Sequence, residues 1–199
     1  QARKGSLGAM NEGVALAQQR SYPEAIAKFE EAGRLDPTND MAFYNLAMTQ
    51  FDLQAYGAAA GAMRQAISVN ANSAMYQDKL ATILLQLDPP NLEQAKTALE
   101  RCVQIDPTLF RAHFRLAQVL EQMGDDQHAL ERYTEAVRRG PRLIEAYIEL
   151  GRLYAQNGFP QQALQVLRAG VPLAIEGSTE QARLHHVMGT VHQEQRNYD

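Results

Sequence analysis

Small residues recur along this chain at an almost constant interval, and this repeat constrains the fold more than any other feature. One set contains only alanines: Ala25, Ala59, Ala95, Ala129 and Ala163. A second set keeps the same step: Gly13, Ala47, Ala81, Ala117, Gly151 and Gly189. Large residues keep step with the first set: Phe29, Met63, Leu99, Tyr133 and Leu167. These three sets recur with the same spacing, and their agreement predicts a repeat protein with units of about 34 residues.

Each unit reads as two helices. The segments "MAFYNLAMTQFDL" (41–53) and "AHFRLAQVLEQM" (112–123) carry apolar residues three and four positions apart, which is typical of an amphipathic helix. A break follows, and Pro23 and Pro160 then stand where a second helix begins, a position at which the missing N–H of proline costs nothing. Asp-Pro or Gly-Pro ends that helix, as at Pro107. With no strand candidate, the sequence predicts an all-α protein.

Some steps of the repeat are longer than the others, and the extra length indicates insertions. The step from Ala59 to Ala95 contains "QLDPPNLEQA", which places two extra positions in a loop at 88–90. The last step, from Gly151 to Gly189, contains "RAGVPLAIEGSTEQARL" and indicates either a longer second helix or a longer connection. Both are tolerated because a slightly longer surface loop costs little entropy.

The pattern resembles the tetratricopeptide repeat, a two-helix unit of about 34 residues. The best match, 110–143, carries the typical small, large and turn residues: Leu116, Ala117, Leu120, Gly124, Ala129, Tyr133, Ala136 and Pro141. The resemblance implies a right-handed α-solenoid, one array over 1–199, divided as 6–39, 40–73, 74–109, 110–143, 144–181 and a partial sixth repeat at 182–199. His113, Glu12 and Gly170 depart from the usual residues.

The resemblance also implies a groove lined by the first helix of each repeat. Carried over position by position, the candidate partner-binding residues are Met10, Val14, Met41, Tyr44, Asn45, Met48, Met75, Lys79, Arg111, Phe114, Arg115 and Gln118. Four of the seven methionines fall on this face in the first three repeats, and flexible, polarizable side chains suit an amphipathic helix or an extended peptide. Alternatively, these residues pack against a neighbouring first helix.

A cationic stretch, Lys79, Arg111 and Arg115, suggests a site for a carboxylate or an acidic peptide segment. The alternative is an ion-pair ladder between repeats in which Glu145 and Glu149 are the partners. The clamp with which some family members grip the acidic C-terminus of heat-shock chaperones is not predicted. Asn45 fits it, but Met10 and Val14 stand where its first Lys and Asn belong.

No enzymatic or cofactor chemistry is indicated. The histidines of "LHHVMGTVH" (His185, His186, His192) have no evident further ligand for a metal site, and Cys102 occupies a small-residue position typical of a buried thiol. No phosphate-binding loop or nucleophile motif appears. We therefore expect no catalysis, no cofactor and no metal.

The leading hypothesis is a non-catalytic adaptor that binds a peptide or helical segment of a partner protein. A second is a recruiting module of a larger enzyme or membrane-associated assembly. A third is self-association through 182–199, whose apolar stripe is expected to be exposed: Leu184, Val187, Met188 and Val191.

Charge and hydropathy limit the partners and the compartment. A net charge of −4 and a pI near 5.8 disfavour nucleic acid, because a nucleic-acid groove is usually basic. No run of about 18 apolar residues predicts membrane insertion. The cytoplasm is favoured over a bacterial periplasm.

Overall fold

The computed structural model describes residues 1–196, and in that range the chain forms α-helices, one short 3-10 turn and no strand. The helices are α1 (Ala2–Gln18), α2 (Tyr22–Leu35), α3 (Asp40–Asp52), α4 (Tyr56–Val69), α5 (Ala74–Leu85), α6 (Leu92–Ile105), α7 (Phe110–Gln122), α8 (Asp126–Arg139), α9 (Ile144–Gln156), α10 (Pro160–Gly170) and α11 (Thr179–Arg196). The prediction of an all-α repeat protein is confirmed.

Consecutive helices pack as pairs: α1 with α2, α3 with α4, and so on to α9 with α10. Most pairs are joined by a short turn with one residue in the left-handed region, such as Gly124 (φ 80°) and Gly158 (φ 79°). The turn between α5 and α6 is longer and contains the inserted residues at 88–90. The other insertion lengthens a connection rather than a helix, because α10 ends at Gly170 and a 3-10 turn, Val171–Leu173, follows.

The helices belong to two compact units, each with its own core. The first unit is Gln1–Asp106 and holds α1 to α6; the second begins at Pro107 and holds α7 to α11. The largest fully buried side chains include Phe29 and Met63 in the first unit and Tyr133, Leu167 and Leu184 in the second.

Small residues mark the points at which paired helices approach most closely. A Cβ on Gly13 would lie 2.7 Å from Cε1 of Phe29, and one on Gly151 would lie 2.5 Å from Cγ of Leu167. The alanines of the first register are fully buried, and so are the large residues that face them. The packing predicted from residue size is therefore confirmed. Gly189 differs, because within residues 1–196 no atom beyond its chain neighbours and its own helix backbone lies within 4 Å of the position of its Cβ.

Polar contacts tie the first three helices together. The Ser6 hydroxyl, fully buried, donates to the carbonyl of Ala32 (2.8 Å). Nδ2 of Asn39 donates to Ser6 Oγ (2.9 Å), and its Oδ1 accepts from the amide of Ala42 as the N-cap of α3. One serine and one asparagine thus fix α1, α2 and the start of α3 relative to one another.

The terminal helix corrects one expectation. Leu184 is 0% exposed, Val191 is 1% exposed, and Val187 and Met188 are half-buried, so the stripe expected to be exposed on 182–199 is largely covered instead. The reason is that α11 packs on α9 and α10: Leu184 joins the cluster around Ile148, and Val191 joins Ala163 and Leu164. Self-association through this stripe therefore loses its basis. The last residues of the predicted sixth-repeat helix, 197–199, lie outside the described residues.

Candidate functional site

Helix periodicity places the candidate residues of the first unit on one side of α1, α3 and α5. On α3, Met41, Tyr44 and Met48 are spaced by three and four residues and so share a face. The buried side of α3, with Ala42 and Leu46, points away from them into the core. We call the side that carries the candidates on α1, α3 and α5 the first-helix face.

Three large apolar side chains stay exposed on this face, and they occupy the same position in the first helices of three successive repeats. Leu7 on α1 is 53% exposed, Met41 on α3 is 41% exposed and Met75 on α5 is 47% exposed. Adjacent members are one repeat apart in the sequence. In the second unit the equivalent positions hold the charged residues Arg111 and Glu145. We refer to Leu7, Met41 and Met75 as the apolar row.

An aromatic pair supports the middle of the row. The rings of Tyr44 and Tyr76 stack with centroids 5.4 Å apart and planes at 24°. The Tyr76 hydroxyl donates to Oδ2 of Asp40 (3.0 Å) and lies 3.3 Å from the sulfur of Met41. Burial, with Asp40 close by, raises the pKa of Tyr76, so the phenol remains a neutral donor. Tyr44 is therefore held in place by its stacking on Tyr76, while Met41 beside it stays exposed.

Sequence reasoning missed Tyr76, although the repeat register contains a signal for it. The equivalent positions in the other complete repeats are all small: Gly8, Ala42, Ala112 and Ala146. Among the five complete repeats Tyr76 is the one large residue in that register, and it is buried. A large aromatic at a small-residue position indicates a local departure from regular packing.

The remaining candidates of the first unit are less exposed. Met10 packs against the buried cluster Ala9, Ala32 and Ala42, which matches the alternative in which methionines fill gaps between helices. Val14, Asn45, Met48 and Lys79 are half-buried. Lys79 has no carboxylate within ion-pair distance among residues 1–196.

The candidates of the second unit lie on α7 and divide into two kinds. Phe114 is a packing residue: its ring meets Tyr133 edge to face (5.5 Å) and contacts the cluster of Ala136 and Leu143. Arg111 is exposed, and its guanidinium lies 5.7 Å from the ring centroid of Phe110. Gln118 is exposed and Arg115 is half-buried. Phe114 is thus tied into the core, unlike the exposed methionines of the apolar row.

An ion-pair ladder between repeats does form in the second unit. Nη2 of Arg152 on α9 lies 2.5 Å from Oε1 of Glu121 on α7, and Nε of Arg152 lies 2.8 Å from Oε2 of Glu149. Nη2 of Arg183 on α11 lies 3.1 Å from Oε1 of Glu149. The Tyr133 hydroxyl donates to the other oxygen of Glu121 (3.0 Å). We call these five residues the arginine–glutamate network. Its cations are Arg152 and Arg183, neither of which sequence reasoning paired with Glu149.

His113, one of the departures from the family pattern, is a buried titratable group in the second unit. It is 3% exposed, its Nε2 donates to the carbonyl of Pro107 (3.0 Å), and its Nδ1 has no hydrogen-bond partner among residues 1–196. Burial lowers the pKa of His113 below its usual 6.5; Arg139 and Arg132 on α8 act in the same direction, and Glu135 and the Pro107 carbonyl oppose them.

This environment predicts a pH-dependent stability. Because the pKa is lower in the folded chain than in the unfolded chain, the unfolded state binds more protons below about pH 6.5. The free energy of unfolding should therefore fall as the pH drops from 7 towards 5, and His113→Leu should make this fall shallower. Urea titrations at several pH values test it, with the exposed His186→Gln as the control that keeps the wild-type dependence. An unchanged slope in His113→Leu would contradict the assignment.

Neither a metal centre nor a membrane span is found in the described part of the chain. Within residues 1–196, no three His, Cys, Asp or Glu side chains are grouped so that they could hold a metal ion. Over the same range, no helix is both long enough and apolar enough to cross a bilayer.

Sequential helix pairs with small residues at each close approach define an α-helical repeat protein. Models of the tetratricopeptide repeat match residues 10–74, 79–109 and 110–153. The chain belongs to the tetratricopeptide repeat family, whose members are typically non-catalytic.

Several relatives and solved structures resemble the chain. BBSome complex member BBS4 from Xenopus tropicalis is 29% identical over 139 residues, and the Bos taurus protein of that name is 26% identical over 129 residues. These matches cover 70% and 65% of this chain but only 27% and 24% of the relatives, so the chain spans about a quarter of their length.

Among solved structures, MamA superposes with a TM-score of 0.77 at 20% identity, over 85% of this chain and 92% of MamA. YrrB, a TPR protein with an unusual peptide-binding site, superposes with a TM-score of 0.74 at 19% identity, over 91% of this chain and 90% of YrrB. At these identities the likeness supports the fold.

Proposed function

We propose that this chain is a protein-interaction scaffold that binds a peptide or a helical segment of a partner protein on the first-helix face. The observation that carries the proposal is the apolar row, in which Leu7, Met41 and Met75 stay about half exposed at one position of three successive repeats. Large apolar side chains aligned on a polar surface favour burial against a partner.

The chemistry of the row suits a binding surface. Methionine is unbranched and polarizable, so two of the three side chains can adapt to the shape of an apolar ligand. The stacked Tyr44 and Tyr76 give the same surface a rigid aromatic centre. Flexible anchors beside a fixed ring are the combination expected where an amphipathic helix or an extended segment docks.

Two comparisons support the class of function. A peptide-binding site is known in YrrB, whose fold the chain shares. BBS4 is a member of a complex, and the match to it covers about a quarter of that protein. A second candidate is therefore that the chain acts as one segment of a larger assembly rather than as an independent adaptor.

Selection from a peptide-display library tests the proposal. The wild-type chain should select peptides that carry two or more large apolar residues, and the double variant Met41→Glu/Met75→Glu should bind those peptides at least about tenfold more weakly, because each burial lost is worth more than about 1 kcal/mol. Both positions are exposed, so circular dichroism and the free energy of unfolding should stay at the wild-type values.

Leu53→Glu is the matched control. Leu53 is also a large apolar residue of the first unit and 46% exposed, but it follows α3 and lies outside the row. It should leave affinity for the selected peptides unchanged. Peptides that bind the double variant as tightly as the wild type would rule out the first-helix face as the site. The second candidate function is that of a segment in a larger assembly. If that assembly still incorporated the double variant, the chain would contact the assembly through a surface other than the first-helix face.

A further inference from the structure

A cavity of about 480 Å³ opens between α4, α5 and α6, all within the first unit. We call it the α4–α6 cavity. Its lining residues come from these three helices and include Arg64, Gln77, Leu80, Leu84, Glu100 and Arg101. Nothing in the function proposed above uses this space.

The cavity lies on the side of α5 opposite the apolar row. At about 100° per residue, Gln77, Leu80 and Leu84 share one side of α5, while Met75 and Lys79 share the other. Leu80 and Leu84 are buried and give the cavity an apolar floor. A ligand in the cavity would therefore not contact the first-helix face.

Gln77 provides a polar group that the protein itself leaves without a partner. It is only 9% exposed, it lines the cavity, and no hydrogen bond satisfies its side-chain amide among residues 1–196. A primary amide has both a donor and an acceptor, as does a peptide group. The Gln77 amide can therefore pair with a peptide group of a ligand that enters the cavity.

Two guanidinium groups at the cavity carry positive charge that no carboxylate neutralises. Nη2 of Arg64 donates to Oε1 of Gln94 (2.6 Å), and Arg101 donates to Asn72 (3.2 Å) and Gln104 (3.5 Å), all of them neutral amides. Across the described residues, neither arginine has an acidic partner within 4.0 Å. Glu100 partly offsets this charge, and two cations against one anion leave an excess of positive charge.

We propose that the α4–α6 cavity binds an extended acidic segment of a protein. One backbone peptide group pairs with Gln77, an apolar side chain covers Leu80 and Leu84, and flanking carboxylates reach Arg64 and Arg101. Arginine binds carboxylates through two parallel hydrogen bonds, so its present amide partners are readily replaced by stronger ones. The peptide amide and the apolar floor together favour a peptide over a simple polyanion.

Fluorescence anisotropy with labelled, end-blocked heptapeptides tests the site. The peptide Gly-Glu-Leu-Glu-Leu-Glu-Gly should bind, and the same peptides with Gln or Lys in place of Glu should bind at least about tenfold more weakly, as expected when charge-assisted hydrogen bonds are lost. The double variant Arg64→Gln/Arg101→Gln and the single variant Gln77→Leu should each weaken binding of the Glu peptide. Glu100→Gln should tighten it, an effect that damage to the fold would not produce.

Two controls separate this site from others. Arg34→Gln removes an exposed arginine of α2, outside the cavity, and should leave binding unchanged. Met41→Glu/Met75→Glu should also bind the Glu peptide as the wild type does, since the first-helix face is not involved. Weaker binding by that variant would instead assign the peptide to the apolar row.

Three results would overturn the assignment. The first is no binding of the Glu peptide at millimolar concentration, and the second is equal binding of the Glu and Lys peptides. The third is displacement of the Glu peptide by an equal concentration of inorganic phosphate or of oligo(dT), which would indicate a general anion site. Failure of the display selection described above would leave these outcomes unaffected, because the two tests probe different faces and the variant Met41→Glu/Met75→Glu serves here only as a control.

Discussion

Gly151→Val is expected to lower the free energy of unfolding by about 3 kcal/mol, at the upper end of the usual cost of overpacking. The reason is geometric. The Cβ alone would lie 2.5 Å from Cγ of Leu167 and 2.7 Å from its Cδ2, and Leu167 is fully buried, so it has no free space to move into. Helices α9 and α10 would have to separate, which exposes the core that they share with α11.

Gly189→Ala is the matched control, because Gly189 holds the same repeat register on α11 but has no packed partner. A methyl group there meets nothing within 4 Å, and removing a helical glycine favours folding by up to about 1 kcal/mol. Urea unfolding followed by circular dichroism measures both variants. If both variants lost the same free energy of unfolding, glycine would be needed at these positions for a reason other than the close approach of two helices.

This contrast shows what the sequence predicts well. Gly13, Gly151 and the buried alanines were identified from residue size and spacing, because only small residues let two helices touch. The same spacing says nothing about whether a second helix lies against Gly189. For the same reason the stripe of Leu184 and Val191 was misread: the sequence shows that it is apolar, but only the structure shows that α9 and α10 cover it.

Side-chain partners are harder to predict than helix packing. Long charged side chains reach several helices, so a shift of one residue changes which pairs meet. Glu149 was recognised as an ion-pair partner, yet its cations are Arg152 on its own helix and Arg183 on α11. The sequence contained no signal that Gln77 lines a cavity, because a glutamine in an amphipathic helix usually faces water.

The exposure of the apolar row was partly predictable. Met41 and Met75 were placed on the first-helix face from the family pattern, and both are exposed. The same pattern also predicted that Met10 and Phe114 bind a partner, but Met10 packs on the core of the first unit and Phe114 on that of the second. Helix position fixes the face of a residue, whereas the neighbouring helix decides whether the side chain stays accessible.

Removing the central cation of the arginine–glutamate network should have the second large effect on stability. In Arg152→Met, Glu121 and Glu149 lose the guanidinium that they share, and both carboxylates are only about a fifth to a quarter exposed. Glu149 keeps Arg183, whereas Glu121 keeps the Tyr133 hydroxyl. Loss of one partner from a buried pair costs about 3–5 kcal/mol, and partial exposure should reduce this to about 2 kcal/mol. Chemical denaturation at pH 7 measures the loss.

Two further variants complete the test of the arginine–glutamate network. Arg138→Met removes an arginine of the same unit that is 61% exposed and whose partner Glu135 also pairs with Arg139, so its effect should stay within about 0.5 kcal/mol. Glu121→Gln/Arg152→Met/Glu149→Gln removes both carboxylates together with the central cation and leaves the charge of Arg183, which is 49% exposed. It should recover most of the stability lost in Arg152→Met, because no carboxylate without its arginine remains. If the triple variant were as unstable as the single one, the arginine would stabilise α7, α9 and α11 through its packing alone.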